Sequence, residues 1–181
     1  MTSKKPIVIA VVGSKSSGKT TVIETLIEEL TKRGYKVAAV KHIPEKDFTI
    51  DAKGKDTWRF AMSGAKTVVG IAPMEISTIE KADTSSLSLE DIVERCLGND
   101  IVIIEGFRKL LGENVKVPKI VTVKSAEEAL EASKTFKPII AFTGPYSIKE
   151  MALNALYIDV LREKKEIANI VEEIVRKRKR V

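Results

Sequence analysis

Short apolar runs alternate with stretches of helical spacing along this chain, and the alternation predicts the architecture. "IVIAVV" (residues 7–12) lies between Pro6 and Gly13 and is apolar at every position, as in a strand buried on both faces. After a polar break, Val22, Ile23, Leu26, Ile27 and Leu30 recur at helical spacing, and the helix they predict closes at Lys32 and Arg33 with Gly34 just beyond. "KVAAVKH" (residues 36–42) predicts the second strand. Strand, helix and strand in so short a span require a crossover between parallel strands.

Further along, "KDTWRFAMSGA" predicts a short helix ending at Gly64. "KTVVGIAP" and "EISTIEK", on either side of Pro73 and Met74, predict an antiparallel ribbon. In "SLSLEDIVERCLG", Ser88 and Asp91 stand as in a capping box and Gly98 stops the helix. "DIVIIEG", "KIVTV" and "PIIAF" predict further buried strands, and "ALYIDV" a shorter one. "SAEEALEAS" predicts a helix with Ser125 as N-cap and Glu128 at the capping position. The last helix presents Ile167, Ile170, Val171, Ile174 and Val175 on one face. The reading is a single α/β domain over residues 1–181, with a mostly parallel sheet between helical layers and an antiparallel ribbon extending it.

Composition narrows the class. At 181 residues, 44% hydrophobic and 31% charged, the chain can bury a proper core. No apolar run approaches a membrane span, and the apolar stretch near the start reads as a strand, not a signal peptide, so a cytoplasmic protein is expected. The lone cysteine, Cys96, excludes an internal disulfide and a multi-cysteine zinc site, and its place mid-helix suits buried packing. The net charge of +6 is concentrated in "RKRKR", within a basic tail over residues 176–181. Nucleic-acid binding would rest on that tail alone, and a solvated helix end explains it better.

The break after the first strand carries the chemistry. "GSKSSGKTT" runs Gly13, Ser14, Lys15, Ser16, Ser17, Gly18, Lys19, Thr20, Thr21 and satisfies G-x-x-x-x-G-K-[ST] between a buried strand and a helix. Its glycines let successive N–H groups converge on phosphate oxygens, and the helix N-terminus adds positive potential. Lys19 is placed to reach the β- and γ-phosphates of a nucleoside triphosphate, and the Thr20 hydroxyl to ligate Mg²⁺. Such a loop needs an acid at the end of a neighbouring buried strand. Glu105, closing "IVIIE", supplies it, whereas Asp100 sits at that strand's other end. The fold class is therefore the P-loop NTPase three-layer α/β/α type.

"KHIPEKDFTIDAKGKDTWRFAMSGA" concentrates Lys41, His42, Asp47, Asp51, Lys53, Lys55, Asp56 and Arg59 just after the second strand. The "KH" pair, the D-x-x-GKD-[ST]-x-R pattern with "GA" closing the next helix, "EGF" from Glu105 to Phe107, and "PKI" at Pro118 resemble the MobB family. The resemblance spans roughly the first two thirds of the chain. It implies a GTP-binding adaptor of molybdopterin-guanine dinucleotide (molybdenum cofactor) biosynthesis, with slow Mg²⁺-dependent GTPase activity. It also implies a homodimer built through the ribbon region, and a partner guanylyltransferase that joins GMP to molybdopterin. By the same resemblance Asp51 and Lys55 join the nucleotide-binding set. Lys19, Glu105 and Asp56 form the catalytic set, and Thr20, Glu105 and Asp56 the metal set. The chain departs from the family in having no histidines beyond His42 after the "KH" pair, and in carrying Arg108 where lysine is commoner.

No N-K-x-D motif is present, so guanine preference rests on the resemblance. "AFTGPYS" (residues 141–147) falls where a base-binding loop is expected. The alternative enzyme class is a P-loop small-molecule kinase. It would need arginines to clamp the transferred phosphoryl group, and only Arg59 and Arg108 lie near.

Overall fold

The computed structural model describes residues 5–144 and 156–179. Pro145 to Ser147 of the expected base-binding loop, Ala155, and Arg180 and Val181 of the tail lie outside the described residues. In chain order the first elements are β1 (Ile7–Gly13), α1 (Lys19–Lys32), β2 (Val37–Lys41), α2 (Asp56–Met62), β3 (Thr67–Ala72), β4 (Glu75–Glu80) and α3 (Leu89–Glu94). They are followed by β5 (Ile101–Glu105), α4 (Arg108–Leu111), β6 (Lys119–Thr122), α5 (Ala126–Thr135), β7 (Ile139–Gly144), β8 (Tyr157–Asp159) and α6 (Lys164–Lys179). The chain divides into two units: Met1–His42 with Ser88–Val181, and Ile43–Leu87.

In the first unit six strands form one sheet in the order β2-β5-β1-β6-β7-β8, and every neighbouring pair is parallel. The βαβ reading is right about direction, but β1 and β2 are not neighbours. β5 lies between them, and the register sets Val11 opposite Glu105 on one side and Lys41 opposite Glu105 on the other.

Strand period explains why β1 as far as Val12 and β5 as far as Ile104 are apolar at every position. Ile7, Ile9, Val11, Ile101 and Ile103 face one way and pack with α1 and α6, burying Leu26, Leu30, Ile167 and Val171. Ala10, Val12, Val102 and Ile104 face the other way, toward a cluster holding Leu111, Ala129, Phe136 and Phe142. Each fully buried aliphatic side chain contributes about 1.5–3 kcal/mol. Lys119 opens β6, and its buried ammonium donates to the Asn114 and Lys137 carbonyls at 2.5 Å each. Burial pushes that ammonium below its ordinary pKa.

The capping expectations are met at Ser88, whose hydroxyl accepts from the Asp91 N–H while the Asp91 carboxylate accepts from the Ser88 N–H. The helix behind it is shorter than the pattern suggests and ends at Glu94. At α5 the Ser125 hydroxyl accepts from the Glu128 N–H, but the Glu128 carboxylate reaches past the cap to the Lys124 N–H at 2.9 Å. Among the described residues no helix is long and apolar enough to cross a membrane.

The end of α1 is tied to α6 by charge. Glu172 accepts from Arg33 at 3.0 Å, from Tyr35 at 3.0 Å and from Arg176 at 3.0 Å. Burial alone would raise the Glu172 carboxyl, but the bonds from Tyr35, Arg176 and Arg33 outweigh it and hold its pKa below the ordinary 4.5. A depressed carboxyl adds stability above the unfolded-state pKa and loses it as pH falls through the folded-state value. Glu172→Gln should therefore be less stable than wild type at neutral pH, with the gap closing below about pH 4.5. Urea melts at a series of pH values would show this, and a gap constant down to pH 3 would contradict it.

The second unit pairs β3 and β4 antiparallel around Pro73 and Met74, with Val68 opposite Ile79 and Ile71 opposite Ile76. One face places Gly70 against Thr57 of α2 and buries Val68. The other leaves Val69, Ile71 and Ile76 exposed, with Met74 95% exposed at the turn.

Candidate functional site

β1 runs into a loop and the loop into α1, and packing against β6 dictates the path. Gly13 pairs in register with Thr122, and a side chain at Gly13 would run into the Thr122 hydroxyl, the Thr122 carbonyl and the Ser17 hydroxyl. Ser17 is fully buried. Its Oγ donates to the Ser14 carbonyl at 2.8 Å and lies 2.5 Å from Thr122 Oγ1. Lys19 Nζ folds over the loop and donates to the carbonyls of Ser14 (2.6 Å) and Gly13 (3.3 Å). Ser14 Oγ in turn donates to the Glu128 carboxylate at 3.3 Å. Burial pushes the Glu128 carboxyl up, but the Lys124 amide and ammonium and the Ser14 hydroxyl outweigh it and leave it below its ordinary value.

Residues 15–21 and Glu105 line one cleft of about 470 Å³ at the carboxyl ends of the strands. Glu105 ends β5 with its side chain 15% exposed, and Lys41 Nζ stands 3.3 Å from Oε2. Asp100, at the opposite end of β5, accepts from the Lys36 N–H, so it is no partner for the loop. Behind Glu105 the chain turns sharply, with Gly106 at φ 88° and Phe107 at φ 50°, the latter a left-handed non-glycine residue at the N-cap of α4. Only glycine serves at 106, because the His42 Cβ would lie 2.9 Å from an added side chain. The His42 ring packs on Phe107 with centroids 4.7 Å apart. Phe107 and His42 thus anchor the turn that presents Glu105.

Asp51, Lys55 and Asp56 all belong to the second unit. Lys55 precedes α2 and Asp56 is its first residue, 3.4 Å from Arg59. Asp51 Oδ1 accepts from the Ala52 N–H, while its buried Oδ2 has no hydrogen-bond partner among the described residues. Asp51 and Thr57 line a groove of about 610 Å³ with Gly70 and Ser77 of the ribbon.

Sequence reasoning overlooked Thr122, Glu128 and the pairing of Lys41 with Glu105. Thr122 had a usable signal, being the polar residue that ends an apolar strand beside the loop, as Glu105 is. Of the two arginines that a kinase would need, Arg108 lies over the Phe136 ring at 5.2 Å and Arg59 pairs with Asp56.

The donor set suits Mg²⁺. Among the described residues no group of three or more His, Cys, Asp or Glu side chains is placed to hold a metal. The cleft instead offers the Glu105 carboxylate and the Thr20 hydroxyl, hard oxygen donors. Mg²⁺ commonly binds through one or two protein oxygens, keeping waters and phosphate oxygens for the rest. When bound there, it would neutralise charge on the phosphate oxygens.

A loop joining the central strand of a parallel sheet to a helix, opposite an acid on the adjacent strand, defines a P-loop NTPase-like α/β protein. The chain belongs to the MobB family: the family model for molybdopterin guanine dinucleotide synthesis protein B matches residues 8–144. A relative from Methanocaldococcus jannaschii is 39% identical over 124 residues, 66% of this chain and 48% of that one. The molybdopterin-guanine dinucleotide biosynthesis adapter protein of Haemophilus influenzae is 34% identical over 104 residues, 56% of this chain and 57% of that one. The chain thus spans about half the length of these curated relatives. A crystal structure of molybdopterin-guanine biosynthesis protein B superposes with a TM-score of 0.70 at 29% identity, covering 94% of this chain and 99% of that one.

Proposed function

We propose that this protein is a cytoplasmic GTP-binding adapter of molybdopterin-guanine dinucleotide biosynthesis, with slow Mg²⁺-dependent GTPase activity. The observation that carries the reading is the convergence of Lys19, Thr20 and Glu105 on one cleft at the strand ends. Lys19 binds the β- and γ-phosphates, and Thr20 and Glu105 hold Mg²⁺. By the family pattern Asp51, Lys55 and Asp56 of the second unit are further candidate binding residues, and the buried Asp51 oxygen, which has no hydrogen-bond partner among the described residues, supports a ligand-binding role for that unit. Family membership and the adapter relative support service to a guanylyltransferase that joins GMP to molybdopterin. The apolar outer face of the ribbon, with Ile71 79% exposed, supports association through that face as a homodimer.

A competition titration tests the reading. A fluorescent guanine nucleotide bound with Mg²⁺ should be displaced by GTP more readily than by ATP, and phosphate release should be slow. A preference for ATP with transfer to a small acceptor would favour the kinase class, and no nucleotide binding would remove the P-loop assignment.

A further inference from the structure

In-register parallel strands set the side chains of paired positions beside one another, and Lys41 of β2 is paired with Glu105 of β5. The backbone on both sides of this contact is held. The His42 N–H donates to the Glu105 carbonyl at 3.0 Å, the His42 Cβ fills the space above Gly106, and the His42 ring packs on Phe107. The two side chains differ in freedom, since Lys41 is 60% exposed and Glu105 only 15%. The ammonium can swing while the carboxylate stays. Among the described residues Lys41 is the one side chain bonded to the Glu105 carboxylate.

We propose that Lys41 is a positioning residue for the metal site: it neutralises and orients Glu105 in the absence of a divalent cation and gives way when the cation takes the same carboxylate. This rests on the reading of the cleft as a Mg²⁺–nucleotide site. The ammonium charge beside Glu105 repels a second cation at the same carboxylate, so the ion pair and metal uptake are linked as competitors. The pair is half in water and therefore weak, which makes the competition mild. Removing the ammonium should tighten cation binding by about twofold to fivefold. If Lys41 served instead as an essential phosphate ligand, its removal would weaken the metal–nucleotide complex, so the sign of the change separates the roles.

Mn²⁺, a paramagnetic substitute for Mg²⁺, is titrated into the wild-type chain, Lys41→Met and Lys41→Arg, with GTP and alone, and free Mn²⁺ is read by electron paramagnetic resonance. Lys41→Met should bind Mn²⁺ about twofold to fivefold more tightly, with the difference shrinking as KCl is raised, and Lys41→Arg should match wild type. Equal or weaker Mn²⁺ binding by Lys41→Met, or no Mn²⁺ binding by any variant, overturns the proposal. GTP affinity with Mg²⁺ is measured alongside. If wild type binds no GTP, the nucleotide reading fails by itself, and the Mn²⁺-only comparison still decides the part assigned to Lys41.

Discussion

Lys19→Ala should lose Mg²⁺·GTP affinity by about 10²-fold or more while melting within a few degrees of wild type. Hydrogen bonds to charged groups contribute about 1.5–3 kcal/mol each, and a lysine spanning two phosphates makes at least two. In the protein alone, the same ammonium donates to the Ser14 and Gly13 carbonyls at a partly exposed site. Truncation hands those carbonyls to water, so folding loses little, within about 0.5–1 kcal/mol. A fluorescent-nucleotide titration with a thermal melt on the same sample separates the effects. Unchanged affinity would remove Lys19 from the phosphate site, and a large drop in melting temperature would show that it serves the fold instead.

Gly13→Ala should show the complementary behaviour, a loss of stability that carries the binding site with it. The added methyl meets the Thr122 hydroxyl, the Thr122 carbonyl and, at 2.8 Å, the Ser17 hydroxyl. The hydroxyls could turn away at the expense of a buried hydrogen bond, but the Thr122 carbonyl cannot, because its residue is paired in register with Gly13 itself. Overpacking of this kind costs about 1–3 kcal/mol, and losing the Ser17–Thr122 bond adds roughly 1 kcal/mol. A total of about 3 kcal/mol lowers the melting temperature of a chain this size by roughly 6–12 °C. A melt within a degree or two of wild type would show that the loop adapts and that this close approach is not obligatory.

The parallel sheet was legible because strands buried on both faces leave an unbroken apolar record, as in residues 7–12 and 101–104. Glu105 was legible for a related reason: the charge that ends such a run marks where the strand emerges at the ligand edge of the sheet. Strand order was not legible, since periodicity reports which face a residue occupies and not which strand lies beside it. The Lys41–Glu105 contact depends on β5 lying next to β2, and the Ser17–Thr122 contact joins residues 105 positions apart. α4, only four residues long and launched from a left-handed Phe107, is too short for a hydrophobic period to register. The acidic and basic residues after His42 are grouped by resemblance alone, because an exposed charged loop has no packing constraint to write into its pattern.

The buried Ser17 hydroxyl has a consequence for timing. By joining the loop to itself at Ser14 and to β6 at Thr122, it keeps the loop backbone in its turn before any anion arrives. The entropy of arranging those N–H groups is surrendered during folding, not during encounter. On the proposed reading, arrival of a phosphate at this cleft would be governed by diffusion and the swing of a few side chains, with no wait for the loop to form. Any slow step would then belong to later events: hydrolysis, release, or the meeting with another protein.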